Sequence, residues 1–419
     1  MTVVRDDCFV TDERMIPYAE GLGVLMARIA PVVGRETVAL GAALGRVLCA
    51  DVVSGRDVPA FDNSAVDGYA VAYGDLTPNG QTRLEVAGRI AAGHPLDGAV
   101  QKGAAYRIFT GAPVPAGLDT VFMQEDVIQD GDGVILPAGV RRGANFRHLG
   151  EDVRRGETVL APGRRLRPQD VGLAASLGCA ELPVYTRLKA AIFSTGDEVR
   201  EPGGDAPEGC LFDINRYSVS GLLTEIGVAV TDLGILPDDP DAIVQALDRA
   251  SVDHDVILTS GGVSVGDEDH VKGAVNRLGS LHFWRLAIKP GRPIAFGRIK
   301  NATFIGLPGN PVASMVTFMC VARAVILRLA GRVAETPPRR FPVRADFAYK
   351  KKTGRREWLR AWLTVDGDGR LCAVKFPSEG SGVLTSMVKA EGLVELEEDR
   401  GPVAHGDRVA FIPFSEVRL

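Results

Sequence analysis

The sequence predicts a multidomain α/β protein that combines a parallel-sheet domain with β-rich domains. Its 419 residues exceed what one hydrophobic core usually serves, so two to four domains are expected. Between residues 187 and 330, apolar runs and helical patterns alternate four times, which is typical of a parallel α/β sheet. Short Val, Ile and Tyr runs cut by Gly and Pro fill residues 52–140 and indicate a separate β-rich domain.

Composition and charge exclude several classes of protein. A formal net charge of -5 argues against duplex nucleic-acid binding, which needs many Lys and Arg side chains to displace counterions. The six cysteines are scattered singly without a CxxC pair, which favours a reducing compartment. The polar opening MTVVRDDCFV does not resemble a signal peptide, and no uninterrupted apolar stretch reaches membrane-spanning length. We therefore expect a cytoplasmic protein without nucleic-acid or membrane partners.

The α/β segment carries its own start and stop signals. Asp238 or Asp239 can cap a helix that has Pro240 at its first position, and Asn310 with Pro311 repeats this arrangement before a helix over 312–329. The predicted strands cover residues 189–193, 228–236, 255–259 and 303–307.

Outside this segment the pattern predicts helices over 16–29 and 168–177 and a C-terminal hairpin of strands 357–365 and 371–376. The hairpin indicates a small terminal β-barrel. We expect the Arg- and Gly-rich stretch 141–167, with the helix after it, to pack back on the first helix.

The turns that follow the four predicted strands are rich in glycine, hydroxyl and acidic residues. These turns cover residues 194–198, 237–240, 259–269 and 308–311. Ligands of open α/β sheets bind outside the carboxyl ends of the strands, so the turns are expected to form one site for phosphate groups and a divalent cation. The alternative is that they are only loop geometry and helix caps. Gly261-Gly262 between Ser260 and Ser264 is the strongest signal, and it matches neither the Rossmann nor the Walker pattern.

A basic turn follows this segment, with Arg285, Lys289 and Arg292 around Pro290-Gly291. Its apolar flanks favour an anion site over a solvated surface patch. In the β-rich segment, the stretches 61–70 and 110–117 contain Asp67 and Thr110. A structural turn with Asx bonding is slightly favoured for the first stretch, and a structural Pro-rich turn explains the second equally well. The six histidines show no spacing typical of zinc, and no GxSxG motif supports a nucleophilic serine.

Nine motifs occur in a fixed order along nearly the whole chain: DNSAVDGYA, RIFTGAPVPAG, GEDV, FSTGDEV, DINRYSV, LPDDP, TSGGVSVGDEDH, LAIKPGRP and LPGNPVAS. This succession resembles the MoeA family of molybdopterin molybdenumtransferases, whose eukaryotic relatives include the gephyrin E domain. The resemblance implies a segmented first domain (12–52 and 141–186), an inserted β-rich domain (53–140), a three-layer molybdopterin-binding-like α/β domain (187–333) and a C-terminal β-barrel (334–419).

The resemblance also implies a reaction: adenylylated molybdopterin and molybdate give the molybdenum cofactor and AMP, with Mg2+ as the divalent cation. It implies a homodimer in which Asp67 and Thr110 of one subunit face the α/β domain of the other. It assigns the metal and the pyrophosphate to Glu198, Asp238 and Asp269. Further partners implied are a molybdopterin adenylyltransferase and downstream cofactor-maturation proteins.

The resemblance places the pterin phosphate at the Ser260-Gly261-Gly262 turn beside Asp213, and molybdate at Lys289 and Pro290. The full set of implied substrate-binding residues is Ser260, Gly261, Gly262, Ser264, Asp213, Asp152, Lys289, Pro290, Arg292, Pro308, Pro311, Arg360 and Ser381. The chain departs from the family at Arg285 and Arg292, where Lys is common. Because arginine does not act as a proton donor, any acid role at those two positions is in doubt.

Two other functions compete with this assignment. One is a gephyrin-like scaffold that binds a partner peptide, although the chain has no long disordered linker. The other is a molybdopterin adenylyltransferase, which shares the Gly-Gly-bearing α/β domain but lacks the additional β domains. The sequence does not distinguish molybdate from tungstate, because the two oxyanions are nearly identical in size and charge.

Overall fold

The N-terminal segment begins with a helix that packs on the central α/β domain. The computed structural model of the protein describes residues 15–261, 270–291, 293–332 and 337–418. The first elements are α1 (Tyr18–Arg28), β1 (Arg35–Ala39) and β2 (Val52–Val53). The helix predicted over 16–29 is therefore confirmed. It buries Leu25 in the core of the α/β domain, and the Tyr18 hydroxyl donates a 2.7 Å hydrogen bond to the carbonyl of Cys320.

A β-rich insertion follows, as the sequence predicts. Its strands are β3 (Asn63–Ser64), β4 (Gly68–Val71), β5 (Thr82–Ile90), β6 (Ala104–Ile108), β7 (Thr120–Met123), β8 (Ile128–Asp130) and β9 (Gly133–Leu136). The main sheet has six of them in the order β7-β4-β6-β5-β9-β8. Alternating residues fill a core on each face of this sheet, with Ile108 on one side and Phe122 on the other.

The chain then returns to its first segment through β10 (Phe146–Arg147), β11 (Thr158–Leu160), α2 (Pro168–Ser176) and β12 (Glu181–Tyr185). Strand β10 pairs with β3, β11 with β2, and β12 with β1. The helix predicted over 168–177 is confirmed, but the prediction that this region packs on the first helix is wrong. Leu166 and Leu182 share their core with Leu48, whereas α1 packs on the central domain.

Helix α2 is anchored by one buried carboxylate. Asp170 is 3% exposed and receives hydrogen bonds from the Arg164 side chain at 2.7 Å and from the backbone and side chain of Arg167 at 3.0 Å. Burial alone would raise the pKa of Asp170, but the hydrogen bonds from Arg167 and Arg164 bring it well below its usual range.

Asp170→Asn is therefore expected to destabilise the protein by about 2 kcal/mol at pH 7, because charge-assisted bonds at α2 are lost. The depressed folded-state pKa means that this stabilisation is complete above the unfolded-state pKa of about 3.9, begins to be lost below it, and is gone only once the pH has fallen through the folded-state pKa. The gap between wild type and variant in hydrogen-exchange protection of the α2 amides should therefore narrow progressively as the pH falls below about 3.9. Asp130→Asn, in an exposed pair with Arg83, is the matched control and should cost less than about 1 kcal/mol. An unchanged gap at low pH would contradict this role for Asp170.

The central domain is built on a six-stranded sheet. Its elements are β13 (Lys189–Thr195), β14 (Val199–Arg200), β15 (Leu211–Phe212), α3 (Asn215–Glu225), β16 (Ala229–Leu236), α4 (Pro240–Asp253), β17 (Val256–Ser260), α5 (His270–Leu278), β18 (Gly279–Arg285), β19 (Ile288–Lys289), β20 (Pro293–Ile299), β21 (Ala302–Leu307), α6 (Pro311–Thr317), a π-helical turn (Phe318–Ala322) and α7 (Arg323–Leu329). The strands of the sheet lie in the order β16-β13-β17-β21-β20-β18.

Four strands of this sheet, β16, β13, β17 and β21, are parallel and confirm the predicted set. The sheet is wider than predicted, because β20 and β18 extend it in antiparallel pairing. Leu223 of α3 and Val316 of α6 pack on one face, and Leu247 of α4 and Val271 of α5 pack on the other. Helices on both faces make this a three-layer domain.

The helix start signals are confirmed in part. Asp239 accepts a 2.7 Å capping bond from the backbone of Ala242 at α4, as predicted. Asn310 precedes α6 in cap position, but in the described part of the chain its side chain makes no capping bond. The helical stretch Pro311–Leu329 has the length and mean hydropathy of a membrane-crossing helix, but 83% of it is buried inside the protein. Arg323 also interrupts it, so it is the core helix of this domain.

The C-terminal region closes into the predicted β-barrel. Its elements are β22 (Phe341–Ala345), β23 (Arg356–Val365), β24 (Leu371–Lys375), α8 (Thr385–Lys389), β25 (Gly392–Leu396), β26 (Arg408–Pro413) and α9 (Phe414–Arg418). Strands β23-β24-β22-β26-β25 form a ring because β25 also pairs with β23. The predicted hairpin is confirmed as the antiparallel pair of β23 and β24. Strand β19 pairs in parallel with β23, which joins the basic turn of the α/β domain directly to the barrel.

Candidate functional site

Two adjoining cavities lie at the carboxyl ends of the parallel strands, and they share Gly261, Gly309 and Asn310. The first, of about 590 Å³, we call the cationic cavity. The second, of about 730 Å³, we call the acidic cavity. The cationic cavity is lined by Gly261, Ile288, Lys289, Pro290, Gly291, Pro293, Pro308, Gly309, Asn310, Ala313, Arg355, Glu379 and Ser381. The prediction that the strand-end turns converge is confirmed for the described residues.

The acidic cavity collects carboxylates from three separate turns. Glu198 follows β13, Asp213 follows β15, and Asp238 follows β16. Ser260 closes the cavity at the end of β17, and Pro311 lines it at the start of α6. The described lining residues contain acids and one histidine but neither Lys nor Arg. This wall can accept hydrogen bonds and coordinate a hard cation.

Two further acceptor groups belong to the same cavity. The Asn215 amide nitrogen donates a 2.6 Å hydrogen bond to the carbonyl of Gly309, which fixes the side-chain oxygen as an acceptor. Within the described part of the chain, this buried oxygen and the Ser194 hydroxyl have no protein partner. Both atoms are enclosed by the protein, so they are unpaired polar groups within the wall of the cavity.

Asp213 is held by a buried arginine. The Arg216 Nε atom lies 2.9 Å from an Asp213 oxygen, and the same guanidinium bonds to Glu201 and Asp232. Burial alone would lower the pKa of Arg216, but its three carboxylate partners raise it. The Asp213 side of the acidic cavity is thus fixed by a charge network that ties α3 to β16.

In the cationic cavity, Lys289 is the central cation. Its ammonium lies 2.8 Å from Glu379, 3.0 Å from the Tyr349 hydroxyl and 3.7 Å from Glu357. Tyr349 donates a 2.6 Å hydrogen bond to Glu357, and Arg355 lies 2.7 Å from the other oxygen of Glu357. Burial, with the nearby Glu357 carboxylate, raises the pKa of Tyr349, so its hydroxyl remains protonated.

Arg360 lies behind the cavity wall rather than in it. Its guanidinium donates to the Ser386 hydroxyl at 3.0 Å and to the carbonyls of Ser378 at 3.0 Å and Gly380 at 3.2 Å. Burial lowers the pKa of this guanidinium. Arg360 therefore fixes the loop that carries Ser381, and the Ser381 carbonyl accepts a 2.9 Å bond from the backbone of Val312.

The basic turn approaches helix α6 so closely that only glycine fits at position 291. Gly291 has φ +91°, and a Cβ there would lie 2.1 Å from the Thr317 hydroxyl. This contact seats Lys289 and Pro290 over the helix. Pro308 lines the same cavity from the end of β21.

Besides Arg360, three predicted site residues lie outside the two cavities. Thr110 donates to Asp67 from both its backbone and its hydroxyl at 2.8 Å, and these bonds lower the pKa of Asp67. Both residues belong to the β-rich insertion. Asp152 is exposed, and its backbone pairs with Val58. Gly262, Ser264, Asp269 and Arg292, which the sequence also predicts as site residues, lie outside the described residues.

Sequence reasoning missed several residues that the structure brings to the site. Asn215 falls within the recognised motif DINRYSV, which was the available signal, whereas Ser194 belongs to the predicted turn 194–198 but was not singled out. Arg355 and Glu379 have no local signal. They reach Lys289 only because β19 pairs with β23 and thereby places the barrel against the basic turn.

The fold and the site together define a class: a multidomain α/β protein with a charged cleft at the carboxyl ends of the strands of its central sheet. Family models match residues 16–178 as the MoeA N-terminal region (domain I and II), 191–328 as a probable molybdopterin binding domain, and 342–414 as the MoeA C-terminal region (domain IV). The chain belongs to the MoeA family.

Individual relatives agree with this membership. The molybdopterin molybdenumtransferase of Haemophilus influenzae is 39% identical over 91% of this chain and 94% of its own length. Molybdopterin molybdenumtransferase 2 of Mycobacterium tuberculosis is 35% identical over 89% of this chain and 93% of its own. A crystal structure of the molybdopterin biosynthesis moeA protein from Pyrococcus horikoshii OT3 superimposes with a TM-score of 0.82 at 30% identity, covering 96% of this chain and 100% of that one.

Proposed function

We propose that this protein inserts molybdenum from molybdate into adenylylated molybdopterin and releases AMP, as a molybdopterin molybdenumtransferase of molybdenum-cofactor biosynthesis. The observation that carries the proposal is the shared wall of the two cavities, formed by Gly261, Gly309 and Asn310. One cavity offers cations to an oxyanion, and the other offers acceptors and carboxylates to a metal-bound phosphate group. Because the two cavities adjoin at these residues, substrates bound in them would be held close enough to react.

In this proposal molybdate binds the cationic cavity. Lys289 supplies the charge, Pro290 and Ser381 shape the wall, and Arg360 holds the loop that carries Ser381. A dianion gains most from fixed cations in a partly buried site, where water screens charge less than at an open surface. Tungstate has the same charge and shape, so the proposal extends to it.

The pterin phosphate is assigned to the turn after β17, at Ser260-Gly261. Gly261 has φ +86°, and a Cβ there would meet no atom of the described residues within 4 Å, so on their side the backbone is open to a ligand. Asp213 lines the same cavity, where its carboxylate can accept a hydrogen bond from a ring N-H group of a bound pterin or nucleotide.

Glu198 and Asp238 fit a magnesium ion. Two carboxylates in one cavity are the protein ligands that Mg2+ typically takes when substrate phosphates complete its shell. Among the described residues, no group of three His, Cys, Asp or Glu side chains forms a ready metal site, and Asp269 lies outside them. When bound, Mg2+ would polarise the phosphoanhydride. Glu198 and Asp238 would orient it.

A homodimer completes the proposal. Asp67 and Thr110 form a bonded pair on the β-rich insertion and do not line the cavities of their own chain. In a dimer this pair would face the cavities of the second subunit, and Asp152 would lie on the same approach. The expected setting is the cytoplasm, with a molybdopterin adenylyltransferase as donor of the substrate and cofactor-maturation proteins as acceptors of the product.

The test is direct. Purified protein is incubated with adenylylated molybdopterin, molybdate and Mg2+, and AMP and bound molybdenum are measured. Equal amounts of AMP and inserted molybdenum support the proposal. AMP release without molybdenum insertion, or adenylylation of molybdopterin by ATP, would overturn it.

Asp238→Asn is expected to raise the Mg2+ concentration needed for half-maximal AMP release by about tenfold, because one of two metal-binding charges is lost. Asp241→Asn removes a nearby exposed carboxylate that pairs with Arg277 at 2.9 Å, and it should leave the Mg2+ dependence unchanged. Identical Mg2+ dependence of both variants would remove Asp238 from the metal site.

A further inference from the structure

One carboxylate blocks the main cation of the cationic cavity. A Glu379 oxygen lies 2.8 Å from the Lys289 ammonium and 3.3 Å from the Tyr349 hydroxyl, and its other oxygen lies 4.0 Å from Lys375. The hydrogen bond from Lys289 lowers the pKa of Glu379, so the group is ionised at neutral pH. A negative charge thus already occupies the position that an anionic substrate needs.

The two acids beside Lys289 differ in their freedom to move. Glu357 is 0% exposed and is held by Arg355 at 2.7 Å and by Tyr349 at 2.6 Å. The Glu379 side chain is 46% exposed and lies on the irregular segment between β24 and α8. Releasing Glu379 into water costs little, whereas releasing Glu357 would expose a buried, bonded network.

Charge counting shows what the departure of Glu379 leaves behind. Arg355 remains paired with Glu357, and Arg360 remains bonded to backbone carbonyls. Lys289 would then face the cavity without the carboxylate that balances it, and Lys375, which is not among the described lining residues, would add a second positive charge close by. Two such charges match a dianion, whereas a dianion and a carboxylate at the same lysine would repel each other.

We propose that Glu379 is a resident counter-ion that an incoming oxyanion must displace from Lys289, and that it thereby sets how tightly the cationic cavity holds an oxyanion. The cost of displacing the carboxylate is the same whatever the charge of the anion, so Glu379 lowers the affinity for every oxyanion by the same factor. The inference rests on the proposed function only in placing the oxyanion substrate in the cationic cavity.

The test compares two tetrahedral oxyanions of similar size and different charge, tungstate as the dianion and perrhenate as the monoanion. Their binding to wild type and Glu379→Gln is measured by isothermal titration calorimetry at fixed ionic strength. Because Glu379→Gln has no carboxylate to displace, both ions avoid the same free-energy cost. Each should therefore bind about fivefold more tightly to the variant than to the wild type. Asp368→Asn, an exposed carboxylate of the barrel hairpin paired with Arg370, is the matched control and should change neither affinity.

Two results would overturn the inference. An unchanged tungstate affinity in Glu379→Gln would show that the carboxylate does not compete with the anion. A clearly larger gain for tungstate than for perrhenate would show that Glu379 stays in place and repels, since repulsion scales with the charge of the anion.

Turnover separates this role from a structural one and from the proposed function itself. In Glu379→Gln the KM for molybdate should fall with kcat retained, whereas damage to the loop would lower kcat. Glu379→Asp restores the charge and should return affinity toward the wild-type value. Tighter tungstate binding without any AMP release would reject the proposed function and leave the counter-ion role standing.

Discussion

Lys289→Met is expected to lower kcat/KM for molybdate by about 100- to 1,000-fold, the usual effect of removing one fixed group that stabilises an oxyanion. The Lys289 ammonium is the cation at the centre of the cationic cavity, and Glu379, Tyr349 and Glu357 all lie within 3.7 Å of it. Without it, the described lining of the cavity keeps only Arg355, which is paired with Glu357, and the Glu379 carboxylate, so no unpaired cation of that lining faces a dianion. The measurement is AMP release against molybdate concentration.

Two variants control this experiment. Lys289→Arg keeps the charge with a different shape and should retain part of the activity, because a guanidinium cannot reproduce the compact ammonium between Glu379 and Tyr349. Lys300→Met removes a surface lysine that pairs with Asp248. Lys300 precedes β21, at the amino ends of the parallel strands and away from the cavities, so kcat/KM should be unchanged. If Lys289→Met kept the wild-type molybdate KM and kcat, the oxyanion site would have to lie elsewhere.

The parts of this site that could be predicted from sequence are those encoded locally. Buried parallel strands form continuous apolar runs that end in polar turns, so β13, β16, β17 and β21 and the positions of Glu198 and Asp238 followed from the pattern. The antiparallel strands β18 and β20 did not, because Arg285 at the end of β18 was assigned to a basic turn with Lys289 rather than to a sheet edge.

What could not be predicted depends on contacts between distant segments. The amphipathic pattern of α1 shows that one face is buried, but not that Leu25 packs in the central core rather than on the returning segment. The placement of Glu379 against Lys289 likewise depends on the docking of the barrel, which the pairing of β19 with β23 fixes. A strand pair that brings two domains together has no signature in either strand alone.

Arg216→Leu is expected to destabilise the central domain by about 3 to 5 kcal/mol, the usual result of removing one partner from a buried ion pair. Arg216 is 3% exposed, and its partner Asp213 is equally buried, so the Asp213 carboxylate would be left without a cation. Glu201 and Asp232 are about half exposed and can return to water. Hydrogen exchange of the α3 and β16 amides measures this effect locally, which suits a multidomain chain that does not unfold in two states.

The buried charge of Asp213 causes most of this cost, and a second variant tests that. In Arg216→Leu with Asp213→Asn, the uncompensated charge is absent, so a large part of the lost protection should return. Arg277→Leu breaks an exposed pair with Asp241 and should cost no more than about 1 kcal/mol. If the double variant were as unstable as Arg216→Leu alone, packing of the arginine rather than its charge would stabilise α3. The Asp213 wall of the acidic cavity would then depend on shape rather than on the network that joins Asp213, Arg216 and Asp232.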